Sequence, residues 1–368
     1  MLALTGCRAL RSGVAVPAEI ANSRVFVESR INGSAPLPFL LDTGASESVL
    51  NSDRLAELGL RGRPSDSASV EGGTIETTVV PDVTLTIGDI VLAARPVTAL
   101  PLGGVEAGLG HRVYGILGGE LFARRVVTID YGQRRVLFRS SAPDRLVAIP
   151  ISIEEATPIA TVSIDGTSGR FQIDTGGGMT VVNAPFLAAH PTLVPKKTVQ
   201  TTAGAIIPGT SRGGVGRADL LQIGTIHIER PIVNYSQNKS GDRVDVDAGL
   251  IGGEVLSRFT VTFDYENARL WLEPNSSFGT AFEFTGSGLS LAAEGPELKV
   301  VRVRFVIEES PAAEADIRAG DQIASVDGLA RSLEESRRIL GDISRTTELV
   351  IERQGTRLKK HLVNRRLL

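Results

Sequence analysis

The chain has 368 residues, of which 42% are hydrophobic, so it is long enough for two or three domains with real cores. Its formal net charge at pH 7 is −3 and it has no basic stripe, which argues against nucleic acid as a partner. No apolar stretch reaches the length of a transmembrane helix. The 4 histidines are scattered without metal-ligand spacing, so we expect neither a metal nor another cofactor.

The first 20 residues are predicted to be a leader. Residues 4–7, Leu-Thr-Gly-Cys, resemble the lipobox at which bacterial lipoprotein precursors are cleaved and acylated, and Cys7 is the single cysteine of the chain. Residues 1–3 are too few for the charged and apolar regions of a signal peptide, so this hypothesis requires a start site further upstream. The sequence favours the bacterial cell envelope, with lipid on Cys7 as a membrane anchor or a periplasmic location. An ordinary thiol in a cytoplasmic protein is the alternative.

The tripeptide Asp-Thr-Gly occurs twice, at residues 42–44 and 174–176, and each copy closes an apolar strand. The same approach precedes both copies: a strand alternating with period two that runs into a hairpin turn, at residues 25–33 and 159–166. A single tripeptide could be an accident of composition, but two copies in matched surroundings indicate a repeat.

The match continues downstream of each copy. A hydrophobic-hydrophobic-Gly element follows at residues 116–118 and again at 250–252, and a Val-Thr-x-Asp-Tyr strand follows each of them. The sequence therefore predicts the duplication of a whole β-rich unit, with lobe 1 over residues 21–147 and lobe 2 over residues 148–276.

Two aspartates in matching places suggest paired-carboxylate chemistry. Carboxyl groups about 3 Å apart cannot both ionise, so Asp42 and Asp174 would share one proton. The ionised member can then take a proton from a bound water while the protonated member donates to a scissile carbonyl oxygen. The alternative is that Asp-Thr-Gly merely forms a hairpin turn, since Asp and Gly are common turn residues; the duplication argues against it.

This pattern resembles the retropepsin-like and pepsin-like aspartic peptidases over roughly residues 22–276. The resemblance implies two acid-protease-like β-barrel lobes with Asp42 and Asp174 as the catalytic dyad. At the second loop, Gly177 with Gly178 departs from the family at the position where pepsins carry Ser or Thr, so a degenerate peptidase body that binds peptides without cutting them is an alternative. The resemblance also implies a set of residues that support the active-site loops: Thr43, Gly44, Thr175, Gly176, Ile116, Leu117, Gly118, Leu250, Ile251 and Gly252.

Each lobe is also expected to carry a flap, a hairpin that closes over the substrate and excludes water. The candidates are two hairpin tips, at Gly72 and Gly73 in lobe 1 and at Gly204 and Ala205 in lobe 2. Only their position after each aspartate favours this interpretation, and ordinary surface hairpins are the alternative.

The last part of the chain, residues 280–368, has a different pattern. It contains Gly-Leu-Ser-Leu at 288–291, Ser-Pro-Ala-Ala at 310–313, Ala-Gly-Asp-x-Ile at 319–323 and Val-Asp-Gly at 326–328. This series resembles a bacterial PDZ domain, a partly open β-barrel with short helices. The resemblance implies a groove in which a peptide adds as a strand, with its terminal carboxylate bound by backbone N–H groups. A structural cap on lobe 2 is the alternative. The implied peptide-binding residues are Gly288, Leu289, Ser290 and Leu291.

Together these patterns predict a mainly β, bilobal aspartic endopeptidase with a carboxyl-terminal PDZ domain. Its expected substrate is a peptide or unfolded protein, and its expected partner at the groove is a protein carboxyl terminus. The rival hypothesis is a non-catalytic peptide-binding scaffold. Because the two copies have diverged, we expect the lobes to pair within one chain rather than across a dimer.

Overall fold

The computed structural model describes residues 13–70, 73–142, 147–203, 211–237 and 247–368, and these form a mainly β protein with two sheets, which confirms the predicted fold class. Cys7 and the flap candidates Gly72, Gly204 and Ala205 lie outside the described residues. Within those ranges, no helix is long and apolar enough to span a membrane.

Lobe 1 begins earlier in the chain than the sequence indicated. Strand β1 spans Val14–Ala21, and it pairs with a later strand of the lobe through Val16, which is buried opposite Val136. The predicted leader therefore ends too late, because residues 14–20 supply a strand whose alternation is too irregular to be recognised. The lobe then continues through β2 (Arg24–Ile31), β3 (Leu37–Leu41), β4 (Val49–Asn51), β5 (Arg63–Val70), β6 (Gly73–Ile87), β7 (Ile90–Leu100), α1 (Gly103–Leu109), β8 (Gly115–Leu117), β9 (Val126–Asp130) and β10 (Arg135–Arg139), with short 3₁₀ turns at Ser52–Arg54 and Gly119–Leu121.

Lobe 2 follows a similar order, except that two pairs of shorter strands take the places of the long strands β6 and β7. Its elements are β11 (Ile149–Glu154), β12 (Thr157–Ile164), β13 (Thr167–Ile173), β14 (Thr180–Val182), α2 (Ala184–Ala189), a 3₁₀ turn at Pro191–Leu193, β15 (Thr198–Ala203), β16 (Ser211–Arg217), β17 (Leu220–Ile223), β18 (Ile226–Glu229), β19 (Ile232–Ser236), β20 (Gly249–Ile251), α3 (Gly253–Leu256), β21 (Phe259–Asp264) and β22 (Arg269–Pro274).

One continuous sheet joins the two lobes, in the strand order β1-β10-β9-β21-β22-β11. At its centre β9 and β21, the matching strands of the two copies, pair antiparallel, and Thr128 lies opposite Thr262. Their hydroxyl oxygens are 2.9 Å apart and buried. An approximate two-fold axis therefore passes through the middle of the sheet, and both lobes belong to the same chain.

The strand before each aspartate is held in the same way in both lobes. β3 pairs in parallel with β8, and β13 pairs in parallel with β20. β8 and the last three residues of β3 are buried on both faces, which suits their apolar sequence, whereas β13 is buried only at Phe171 and Ile173, just before the aspartate. The pairing brings each hydrophobic-hydrophobic-Gly element beside the aspartate loop of its own lobe.

The carboxyl-terminal domain has its own core and sheet, in the order β23-β24-β25-β26-β27. Its elements are β23 (Leu289–Glu294), β24 (Val300–Val306), α4 (Pro311–Glu314), β25 (Gln322–Val326), α5 (Leu333–Gly341), β26 (Thr346–Arg353) and β27 (Thr356–Val363).

The segment between lobe 2 and this domain is held by lobe 2. Arg258 donates to the carbonyls of Ser277 and Thr280, and its guanidinium lies 3.4 Å from the ring centroid of Phe282. Phe282 is only 5% exposed and belongs to the core of the lobes. Arg258 and Phe282 therefore anchor this segment to lobe 2, although most of its side chains are exposed.

Candidate active site

The two aspartates extend the ladders of the strands that precede them. The Asp42 N–H donates to the Leu117 carbonyl and the Asp174 N–H donates to the Ile251 carbonyl, each at 3.0 Å. Each side chain thus projects from the end of a strand whose backbone is fixed by a buried neighbour.

Crossed hydrogen bonds lock the two Asp-Thr-Gly loops together. The Thr43 hydroxyl donates to the Ile173 carbonyl at 2.6 Å, and the Thr175 hydroxyl donates to the Leu41 carbonyl at 2.8 Å. Each hydroxyl also accepts the backbone N–H of the other threonine, at 3.0 and 3.1 Å. Both threonines are fully buried, so every bond of this interlock crosses between lobes without competition from water.

The interlock brings the carboxyl groups of Asp42 and Asp174 within hydrogen-bonding reach of each other. Each carboxyl lies over the glycine of the opposite copy. A Cβ built on Gly44 would lie 2.8 Å from the Asp174 carboxyl carbon, and one built on Gly176 would collide with the Asp42 carboxyl group. Glycine after each Asp-Thr is therefore needed because any side chain would occupy the space of the other aspartate.

Backbone N–H groups orient both carboxyls. The Gly44 N–H donates to Asp42 Oδ1 at 2.8 Å, and the N–H groups of Gly176 and Gly177 donate to Asp174 Oδ1 at 2.8 and 2.9 Å. These bonds hold one oxygen of each carboxylate in the loop.

The environment favours a protonated Asp42. Burial raises the pKa of Asp42 well above its usual range, and the charge and hydrogen bond of Asp174 raise it further. The backbone N–H groups of Gly44 and Ala45 oppose this rise in pKa without cancelling it. Two adjacent carboxyls with one retained proton are the arrangement needed for one acid and one base.

The glycine run of the second loop has a spatial explanation. A Cβ on Gly177 would lie 2.7 Å from Asp174 Oδ2, and a Cβ on Gly178 would lie 2.7 Å from Nη1 of Arg24. Arg24 is the first residue of β2 in lobe 1, and its Nε–H donates to the Gly176 carbonyl at 2.6 Å. The departure from the pepsin pattern therefore makes room for an arginine of the opposite lobe, which sequence reasoning missed.

The hydrophobic-hydrophobic-Gly elements lie against the aspartate loops. The Gly118 N–H donates to the Ser48 hydroxyl oxygen at 3.0 Å, and the Gly119 N–H donates to the Ala45 carbonyl at 2.9 Å. In lobe 2, the Gly253 N–H donates to the Gly177 carbonyl at 2.7 Å. The side chains of Leu117 and Ile251 are fully buried in the core of the lobes.

Two tyrosines of the repeated Val-Thr-x-Asp-Tyr strands also lie near the dyad. Burial raises the pKa of Tyr131, and the charge of Asp174 raises it further; burial likewise raises the pKa of Tyr265, with contributions from Asp42 and Asp174. Both hydroxyls therefore stay neutral at any working pH and add no charge to the site.

The hairpins that carry the flap candidates are formed up to the edge of the described residues. β5 and β6 pair as far as Val70 opposite Gly73, so Gly73 begins a strand, and β15 and β16 pair as far as Ala203 opposite Ser211. The flap assignment of the tips stays a prediction. In the described parts of the chain, no group of three His, Cys, Asp or Glu side chains is placed to hold a metal ion.

The comparisons with known proteins agree with the geometry of lobe 1. A family model described as aspartyl protease matches residues 27–121. The match runs from β2 to the turn after β8, so it includes Asp42 and the element at 116–118 but not lobe 2. A search of curated proteins finds no match. Lobe 1 is therefore an aspartic-peptidase-like region, and its likeness to lobe 2 rests on the internal repeat.

Replacing Thr175 tests the interlock. Thr175→Val leaves the Thr43 N–H and the Leu41 carbonyl without a partner in a buried place, so we expect the free energy of unfolding to fall by at least about 2 kcal/mol. Thr175→Ser keeps the hydroxyl and should recover most of this loss. Denaturant unfolding of the full chain measures both, and equal stabilities for the Val and Ser variants would contradict the role of the hydroxyl.

The stability of the protein should depend on the charge of Asp42. The folded-state pKa of Asp42 lies above its unfolded value of about 3.9. The protonated carboxyl therefore contributes fully to the free energy of unfolding below about pH 3.9, and this contribution is lost as the pH rises through the folded-state pKa, where burying the ionised carboxyl carries a cost. Asp42→Asn removes this cost, so the variant should melt higher than the wild type at neutral pH and not at pH 3. Thermal unfolding at a series of pH values measures the difference.

Asp89→Asn is the matched control, because Asp89 is exposed in the turn between β6 and β7. A similar gain for both variants, or a gain for Asp42→Asn that is constant with pH, would contradict the predicted protonation of Asp42.

Proposed function

We propose that the protein is an aspartic endopeptidase that hydrolyses peptide bonds with a dyad formed by Asp42 and Asp174 of one chain. The observation that carries the proposal is the placement of both carboxyls in contact across the interlocked loops, with burial and mutual charge favouring one retained proton. The match of residues 27–121 to the aspartyl protease family supports it.

The mechanism follows from the shared proton. A water held between the carboxyls gives a proton to the ionised aspartate and attacks the scissile carbonyl carbon, while the protonated aspartate donates to the carbonyl oxygen. The tetrahedral intermediate collapses when the carboxyl that received the water proton passes it to the leaving nitrogen and the C–N bond breaks. At the same step the other carboxylate takes back a proton from a hydroxyl of the intermediate, so the dyad returns to its starting protonation state. No covalent bond to the protein forms, and backbone bonds from Gly44, Gly176 and Gly177 keep each carboxylate in place.

The rival hypothesis, a peptide-binding scaffold without activity, rested on the glycine run of the second loop. Because Gly176 and Gly177 each leave room for a carboxyl group, this run suits a functional dyad at least as well as a degenerate one. The substrate we expect is an unfolded protein or an extended peptide.

We further propose that the carboxyl-terminal domain is a PDZ-like module that binds a peptide beside β23. β23 is the edge strand of its sheet. On the far side, the N–H of Val303, which lies opposite Leu291, donates to the Asp321 carbonyl, and the Val303 carbonyl accepts from the Gly320 N–H. The backbone groups of Leu291 therefore face the open edge. Gly288 has φ +80°, which suits a tight loop ahead of the strand.

Other parts of the chain now cover this edge. The Arg337 guanidinium of α5 donates to the Leu291 carbonyl at 2.6 Å, and helix α1 of lobe 1 packs against β23. A Cβ on Gly110, at the end of α1, would lie 2.8 Å from Leu333 of α5. A peptide that adds to β23 must therefore displace Arg337 and move α1.

The dyad substitutions test the proposed activity. Asp42→Asn and Asp174→Asn should each reduce the cleavage of unfolded casein at acid pH by at least about 1000-fold, and the double variant should lose little more, because the two groups act as one unit. Pepstatin should inhibit the wild type. Undiminished cleavage in either single variant would remove that aspartate from the mechanism.

Peptide binding tests the proposed PDZ-like module in the full chain. A peptide with a free apolar carboxyl terminus should bind more tightly than its amidated twin, because amidation removes the charge that backbone N–H groups would bind. Arg337→Met should bind the free peptide more tightly than the wild type, since the Leu291 carbonyl is then open. If the wild type and the Arg337→Met variant each bind the free and the amidated peptide with equal affinity, the domain is a structural cap and not a peptide-binding module.

A further inference from the structure

Arg24 breaks the approximate two-fold symmetry of the site. It follows the turn at Asn22 and Ser23, whose φ angles of 50° and 62° define a tight hairpin between β1 and β2. In lobe 2 the corresponding residue, the first of β12, is Thr157. Its hydroxyl donates to the Glu154 backbone carbonyl within its own hairpin. Lobe 1 therefore places a cation at the opposite aspartate loop, whereas the matching position of lobe 2 carries a threonine.

The turn that carries Arg24 is fitted closely to lobe 2. A Cβ on Gly253 would collide with the Ser23 carbonyl, and the Arg24 guanidinium takes the space of a side chain at Gly178. The Nε–H donates to the carbonyl of Gly176, the residue whose own N–H donates to Asp174. Arg24 thus holds the backbone that orients Asp174, from a strand of lobe 1.

The charge of Arg24 acts on the dyad unequally. Burial lowers the pKa of Arg24, whereas the charge of Asp174, and after it that of Asp42, raises it. A cation held in the loop of Asp174 stabilises a negative charge there more than on Asp42. Asp42, in contrast, is buried beside the charge of Asp174, and both effects favour its protonated form.

We propose that Arg24 is a positioning residue that fixes the second Asp-Thr-Gly loop and places the shared proton on Asp42, leaving Asp174 ionised to activate the water. The assignment of roles rests on the proposed peptidase function, whereas the distribution of the proton in the free protein does not.

Other ionisable groups lie near the dyad and the second aspartate loop in the part of the chain that the structure describes. The tyrosine hydroxyls stay neutral, and burial raises the pKa of Glu254, whose N–H donates to the Gly178 carbonyl, to about 8, against the charges of Arg258 and Arg217. Arg337 lies near Arg24, and burial lowers its pKa to about 10, so it remains a cation. In the described residues, Tyr131 and Tyr265 lie near the dyad and Arg337 lies near Arg24, whereas the charged neighbours of the Glu254 carboxyl are Arg258 and Arg217.

Two variants separate the charge of Arg24 from its hydrogen bond. Arg24→Gln keeps a hydrogen-bond donor and removes the charge. The midpoint of the acid limb of the kcat/KM profile should therefore move to higher pH by about one unit or more. Arg24→Lys keeps the charge and should leave the acid limb near that of the wild type, with a lower kcat from the loosened loop. Arg30→Gln is the control, because Arg30 lies on the same strand, is exposed and donates to the nearby Ser34 carbonyl.

The same variants are followed without substrate by ¹³C NMR of the aspartate carboxyl carbons in the full chain, with signals assigned through Asp42→Asn and Asp174→Asn. We expect Asp42 to keep the shared proton in the wild type, and Arg24→Gln to shift this proton towards Asp174. If casein is not cleaved but this shift appears, the peptidase function fails and the role of Arg24 stands. If titration curves and pH profiles of Arg24→Gln superimpose on those of the wild type, the role of Arg24 is wrong.

Discussion

The crossed hydrogen bonds of Thr43 and Thr175 are the constraint on which the rest of the site depends. They join two loops that are 132 residues apart in the chain, and they are buried where no water can replace them. Because each threonine bonds to both the backbone N–H and a carbonyl of the other lobe, the relative position of the two aspartates is set by backbone atoms. Side-chain packing alone would let the two carboxyl groups move further apart than the sharing of one proton allows.

Around this interlock the protein is symmetric in backbone and asymmetric in charge. The central sheet pairs β9 with β21 and repeats the same loop in each lobe, yet the position that carries Arg24 in lobe 1 is occupied by Thr157 in lobe 2. A symmetric pair of carboxyls would have no preferred proton position. Arg24 and the glycines that accommodate it give the dyad a preferred acid and a preferred base.

Much of the fold could be predicted from the sequence because its main signals are local. The two Asp-Thr-Gly phrases, their strands and the elements at 116–118 and 250–252 recur with nearly constant spacing, and their pairing within one chain agrees with the divergence of the copies. The leader was assigned too many residues, because β1 has only Val16 and Ala21 buried and gives no clean alternation. The contact of Arg24 with Gly176 could not be predicted, since it joins residues 152 positions apart and the only local signal is an unexplained run of glycines.

The same reasoning applies to the carboxyl-terminal domain. Its strands and α5 follow from local patterns, whereas the packing of α1 on β23 depends on how the domain docks against lobe 1. The contact of Gly110 with Leu333 and the ion pair between Arg112 and Glu297 are both interdomain features without a local signature. Docking thus couples the edge of β23 to the peptidase-like body.

The central claim is that one chain holds one complete two-aspartate site. Tight-binding titration with pepstatin, followed by calorimetry at acid pH, measures the number of sites per chain directly. The account predicts one pepstatin per chain, and loss of this binding in the Asp42→Asn, Asp174→Asn double variant. One pepstatin for every two chains, or equal binding by the wild type and the double variant, would contradict it.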